Sequence, residues 1–426
     1  MKILLINIIL LLTLSLNAQS YKLEYYLEQA KVNSPLIKQK ENDNKLIQLN
    51  LQKVKSILTK PLVNVEANLL FAPIISHDNG SQFLFISDGT TSDYTGYDLS
   101  YANGGQYQAF ISVKQSLFSG STYKAFSQQA EIENRLNENE IQLSKHEIEQ
   151  LVAHQYILCL QAKQQSDISL NLLEKLNKQF RTLKELVNNA IYKPSDLILM
   201  QIEIDNYKIE YQNYTIKYQN NLADLNLLCG INDKNIVEIE AVNFSLSPDT
   251  VKTSFFLQQY KLDSFNIQSH LLLSEQKYKP QLHFFANAGL NATYLPSPNR
   301  LGFSTGLNFT WNIFDGHQKK IQYQKSLIEI QNLEFKKQHF AKQYDLNKSK
   351  YLTQIKTIDT QIDIVQKQLN KYEKLIDLYQ LQFSQGQISI MNFKNIIRDI
   401  SFKKQEELKL KMQKQLLINS YNYWNF

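Results

Sequence analysis

The side chains best suited to chemistry crowd one stretch: His146, Glu147, Glu149 and His154. A zinc-protease helix needs His-Glu-x-x-His, which sets two imidazoles one turn apart beside a general base. Here the histidines are eight positions apart and the pattern is absent. They read as helix-surface residues rather than ligands. The glycines fall in predicted strands, loops and turns, so no glycine-rich loop is placed to cradle a phosphate. Cys159 and Cys229 are the two cysteines. They fall inside or at the end of predicted helices, and two buried free thiols are expected rather than a disulfide. The sequence therefore predicts no catalytic residue, no metal ligand and no cofactor. What it does specify is geometry.

Composition excludes other classes. In 426 residues, Lys and Arg number 46 against 40 Asp and Glu. These charges are scattered along predicted helices rather than gathered on one face, so a nucleic-acid partner is not expected. Residues 1–18 read as a secretory signal: Lys2, an apolar run from Ile3 to Leu16, then small Ala18. Residue 19 is Gln and not Cys, which leaves no acceptor for an N-terminal lipid. No later segment supplies the roughly 20 apolar residues of a spanning helix. Membrane insertion, if it occurs, must use strands.

Four segments alternate apolar and polar residues. Val63, Val65, Ala67, Leu69 and Phe71 oppose Asn64, Glu66 and Asn68. Tyr107, Ala109, Ile111, Val113 and Leu117 oppose Gln108, Ser112, Lys114 and Ser116. Leu282, Phe284, Ala286, Ala288, Leu290 and Tyr294 oppose His283, Asn287, Asn291 and Thr293. Leu301, Phe303, Leu307, Phe309, Trp311 and Ile313 oppose Ser304, Asn308, Thr310 and Asn312. Phe110, Gln115, Phe285 and Thr305 break the alternation. A period of two gives each strand one oily and one wet face. Segments of about ten residues with terminal aromatics are the pattern of a transmembrane barrel, whose smallest members have about eight strands. Four strands cannot close one, and open edges in lipid are forbidden. The chain must oligomerise. The Gly-, Ser-, Asp- and Tyr-rich stretch from Ile74 to Gly105 is expected to be an external loop, with a short counterpart around Leu295 to Arg300.

Two phrases mark a duplication: Gln115-Ser116-Leu117-Phe118-Ser119-Gly120 and Trp311-Asn312-Ile313-Phe314-Asp315-Gly316. Their glycines are 316 − 120 = 196 residues apart. Each opens a run without glycine or proline, and the runs end near Ala190 and Gly386, again 196 apart. About 70 helical residues would extend roughly 105 Å. Ile355, Ile358, Ile362, Val365, Leu369, Tyr372, Ile376, Tyr379 and Phe383 step by three and four, a heptad seam. Leu173, Leu176, Phe180, Leu183 and Val187 hold the matching register in the first half. Equal spacing without net insertion predicts helices of equal length, as in the staves of one barrel. The expected organisation is a signal at 1–18, a first repeat at 19–230, a linker at 231–254 and a second repeat at 255–426.

With these phrases in order, the chain resembles the TolC-like outer-membrane efflux proteins along nearly its whole mature length. The resemblance is carried by Leu27-Glu28-Gln29-Ala30 with Asn33-Ser34-Pro35, by Leu117-Phe118-Ser119-Gly120 and Ile313-Phe314-Asp315-Gly316, by Leu225-Asn226-Leu227-Leu228-Cys229-Gly230, and by the turn at Gly386. It implies an α+β membrane protein, a homotrimer sharing a twelve-stranded barrel above a periplasmic tunnel of long helical hairpins. It implies a passive exit duct, partnered by a periplasmic adaptor and an inner-membrane pump, sitting in outer-membrane lipid. The resembled tip is latched by residues that correspond here to Asp196, Phe383, Gly386 and Ile388. Its narrowest ring, often two carboxylates a turn apart, corresponds to Asn392 and Asn395, with Asp399 one turn further on. Two other classes fit less well. A surface coiled coil would not need amphipathic strand pairs at equivalent places in each half, and a periplasmic adaptor lacks oily strands of barrel length.

Overall fold

The computed structural model describes residues 20–85, 89–99, 106–233, 235–248, 254–293 and 298–426. The signal predicted at 1–18 lies outside them, as do parts of both predicted loops. In chain order the elements are β1 (Ser20–Tyr21), α1 (Leu23–Asn33), α2 (Pro35–Thr59), β2 (Leu62–Leu70), β3 (Ile74–Ser76), β4 (Gln82–Leu84) and β5 (Tyr94–Gly96). β6 (Gln106–Leu117), α3 (Gly120–Asn188), α4 (Pro194–Leu228), β7 (Glu238–Ile239) and α5 (Phe255–Glu275) follow. β8 (Gln281–Thr293), β9 (Leu301–Thr310), α6 (Gln318–Ser384) and α7 (Ile390–Trp424) complete the chain. Two compact units form, each drawing on both halves of the sequence: residues 42–137 with 260–334, and residues 1–41 with 138–259 and 335–426.

The first of these units holds an antiparallel sheet in the order β2-β6-β8-β9. Its register explains the four alternating segments. Val65 pairs with Ile111, Ile111 with Ala288, and Ala288 with Phe303. Leu117 pairs with Leu282, and Leu282 with Phe309. The four oily sets therefore form one face. That face is bare: Val65 is 80% exposed and Phe303 86%. The wet face joins Asn64, Ser112, Asn287 and Ser304 in one row. Two of the residues that break the alternation have a reason there. Phe110 lies opposite Gly289, and Phe285 opposite Gly306. A Cβ on Gly306 would meet the Phe285 ring at 2.6 Å, so the ring occupies the space the glycine leaves. The stretch read as an external loop is more ordered than that: β3 pairs antiparallel with both β4 and β5. Three-residue strands carry too little alternation to be legible.

The other unit is helical. Asn33-Ser34-Pro35 separates α1 from α2, and Ser34 Oγ accepts from the Ile37 N–H at 3.4 Å. A belt near the β1–β7 pair buries Tyr26, Tyr156, Leu225 and both cysteines. The Tyr156 hydroxyl donates to the carbonyls of Tyr21 (3.1 Å) and Glu240 (2.7 Å). Asn33 Nδ2 donates to the Cys229 carbonyl at 3.0 Å, tying the end of α1 to that of α4. Both thiols are free and buried, and burial pushes each up to about 12. The predicted seam residues of α6 are all buried or half-buried, while most of their neighbours on the helix are exposed.

Candidate functional site: the tip of the helical hairpins

The two long hairpins turn at matched places. α3 spans 69 residues and α6 spans 67; the return helices α4 and α7 span 35 each. Each turn closes with the same backbone device. At the end of α6 the Gln387 N–H reaches the Gln382 carbonyl (2.8 Å) and the Gly386 N–H the Phe383 carbonyl (3.1 Å). At the end of α3 the Ile191 N–H reaches Leu186 (2.9 Å) and the Ala190 N–H reaches Val187 (3.0 Å). This motif needs a left-handed residue at its centre. Gly386 supplies it at φ 74°, but Ala190 takes φ 59° with a side chain.

Beneath the turns the hairpins share a core of Leu176, Leu183, Met200, Phe383, Ile388, Phe393 and Ile397. Phe383 is fully buried and stacks on Phe393, with ring centres 4.4 Å apart. Tyr192, from the α3–α4 turn, crosses to the other hairpin. Its hydroxyl donates to the carbonyls of Ile388 (2.7 Å) and Phe383 (3.2 Å). Burial, then the Asp196 charge, pushes its pKa above the usual phenol value. A Cβ on Gly386 would meet Ile191 at 2.4 Å, so the two turns touch.

Each predicted tip residue can be placed. Asp196 is half-buried in the first turn of α4, and its carboxylate accepts from the Lys193 N–H at 3.0 Å. That is a helix-capping role, helped by the helix dipole. Phe383 and Ile388 are interior and Gly386 forms the turn. Asn392 is exposed, and its backbone N–H is capped by Ser389 Oγ at 3.3 Å. Asn395 and Asp399 are half-buried on the same helix, α7. The structure thus gathers Phe383, Gly386 and Ile388 at one contact and keeps Asp196 on its own helix.

Two participants were not anticipated from sequence. Tyr192 is one, although it stands 196 residues before Ile388, the repeat offset itself. The other is the Glu203–Lys394 ion pair between α4 and α7, at 3.2 Å with side chains 7% and 18% exposed. Removing one partner of so buried a pair would cost about 3–5 kcal/mol. Both face a groove of about 750 Å³ that also includes Tyr207, Glu210, Arg398 and Phe402. Among the described residues no cluster of His, Cys, Asp or Glu could hold a metal ion, and no helix is long and apolar enough to cross a membrane.

Long paired hairpins joined to an amphipathic four-stranded sheet are the fold of outer-membrane efflux channels. The chain superimposes on the outer-membrane channel OprN with a TM-score of 0.69 at 10% identity, covering 95% of this chain and 89% of that one. The Campylobacter jejuni CmeC outer membrane channel gives 0.68 at 12% identity, over 95% and 85% of the two chains. The outer membrane protein VceC from Vibrio cholerae gives 0.68 at 12%, over 95% and 96%. At such identities the likeness is one of fold. No family model matches the chain, and no curated protein matches it.

Proposed function

We propose that this chain is the outer-membrane exit duct of a tripartite efflux or type I secretion system, reaching from the outer membrane into the periplasm. The observation that carries this reading is the bare oily face of an open sheet. Val63, Val65, Leu69, Leu301, Phe303, Leu307 and Phe309 are all more than half exposed. Leaving these seven in water would forgo roughly 10–20 kcal/mol, as much as the whole stability of a domain. Lipid removes that cost, and neither a surface coiled coil nor an adaptor explains it.

The sheet ends at β2 and β9, whose outer edges have no partner strand among the described residues. Lipid does not tolerate such edges. Three copies pairing β9 of one with β2 of the next would close twelve strands. On this reading residues 19–230 and 255–426 are two repeats, 1–18 is the export signal, and the helices form the tunnel wall. Asn392, Asn395 and Asp399 line the constriction, while Asp196, Phe383, Gly386 and Ile388 with Tyr192 hold the tip. Transport is passive: an inner-membrane pump does the work, and a periplasmic adaptor joins it to the duct. The test is fractionation and mass. The mature protein should be released from outer membranes only by detergent and should weigh three chains. A monomer found in the periplasmic extract without detergent would overturn the proposal.

A further inference from the structure

The small sheet of β3, β4 and β5 has its apolar side turned outward. Register sets Ile75 across from Phe83 and Thr95. Alternation places Phe85 and Tyr97, two residues beyond, on the same side. Ile75 is 37% exposed, Phe83 55%, Phe85 60% and Tyr97 64%. The opposite face is the covered one, with Ile74 and Ser76 buried. A loop standing in water would be built the other way round.

This face is also continuous with the oily sheet. The Phe85 ring stacks on Phe71 at 5.8 Å and an interplanar angle of 22°, and meets Phe83 edge to face at 5.0 Å. Phe71 directly follows β2, whose Leu69 is 69% exposed. β2 runs out of α2 and β6 returns into α3, so the small sheet lies at the end of the large one away from those helices. The exposed Asp78 carboxylate is hydrogen-bonded locally: it accepts from the Ser92 N–H (2.9 Å), the Ser92 hydroxyl (2.7 Å) and the Asp93 N–H (2.9 Å). Phe, Tyr and Ile at a strand end, beside polar Thr95 and His77, are the residue types of a membrane–water interface.

We infer that the β3–β5 sheet is a flap seated in the outer boundary of the bilayer, with the Phe71–Phe83–Phe85 cluster as its anchor into lipid. The inference rests on the membrane reading above, and the experiment separates the two. In a Trp311→Phe, Trp424→Phe background, single tryptophans are introduced as Phe85→Trp and, separately, Phe303→Trp on the oily face of β9. Each protein is reconstituted into phosphatidylcholine vesicles with plain or brominated acyl chains. Phe303→Trp reports insertion of the large sheet. Phe85→Trp should lose roughly half its emission on bromination, as for an indole about 5–10 Å into the headgroup boundary. Phe83→Trp should behave likewise, which guards against a local disturbance at residue 85. Quenching at 303 but not at 85 or 83, with ready quenching of both by aqueous acrylamide, would place the flap in water and overturn the inference. Protection of 85 and 83 from both quenchers would mean that protein covers the patch, and would overturn it too. Absence of lipid quenching at 303 would sink the membrane reading, and this inference with it.

Discussion

Ala190 holds a left-handed backbone that Gly386 holds freely at the equivalent turn. A side chain there costs about 1–2 kcal/mol, partly offset by the extra disorder glycine brings to the unfolded chain. Ala190→Gly should therefore raise stability by about 1 kcal/mol, read as a higher thermal midpoint in detergent; a lower midpoint would show that no strain resides at residue 190. The reverse change, Gly386→Ala, adds a clash with Ile191 to the strain and should lower the midpoint by more. Cys159 and Cys229 make the second residue-scale case. Burial holds both thiols far above neutral pH, where the reactive thiolate is scarce. Iodoacetamide should modify neither in the folded protein and both after denaturation. Rapid alkylation of the native protein would contradict the placement of these residues in the belt.

At the scale of elements, α3 and α6 must reach the same depth for Tyr192 to find the carbonyls of Phe383 and Ile388. Deleting one heptad from α3 alone should misalign the turns and abolish export, measured as loss of resistance to a pumped compound. Deleting a heptad from both long helices and both return helices should harm export less. If the one-sided deletion left export intact, matched helix length would not matter. Much of this scale was legible in sequence, because periods of two and of three-and-four recur over long stretches. The oily sets on the four strands line up across the observed register, and the seam of α6 is the face that packs. What was not legible depends on neighbours distant in the chain. Phe110 and Phe285 look like errors of pattern until Gly289 and Gly306 are placed beside them. Tyr192 looks like an ordinary turn residue, since its acceptors are backbone carbonyls that carry no sequence signal. A latch role comes to Asp196 only through the family resemblance; within the chain its carboxylate accepts from the N–H of Lys193 in its own helix cap.

If the whole molecule is the conduit proposed above, it carries few charges on the strands' wet face. Among the described residues of β2, β6, β8 and β9, the ionisable side chains on that face are Glu66, Lys114 and His283, and Glu66 accepts from Lys114 at 2.8 Å. The constriction proposed at Asn392 and Asn395 carries amides. Carboxylates gathered on a threefold axis would attract multivalent cations, and amides do not. Single-channel current should be little changed by trivalent cations added on the periplasmic side. Asn392→Asp with Asn395→Asp should create block at low salt that fades as salt rises. Strong block of the wild type that persists in Asp399→Asn would show that these asparagines do not form the narrowest ring.

The Phe285 ring over Gly306 bears on how the large sheet keeps its register. Four strands of similar oiliness could pair one residue out of step, and a single step exchanges the two faces of a strand. With β8 displaced by one residue along β9, the Phe285 ring would land on Thr305 or Leu307 instead of the vacant surface of Gly306. Phe110 would likewise lose Gly289. The mistake thus leaves the open surface of the glycine uncovered and sets the ring against a side chain instead. The fit of the Phe285 ring over Gly306 therefore favours the in-step sheet over the misthreaded one.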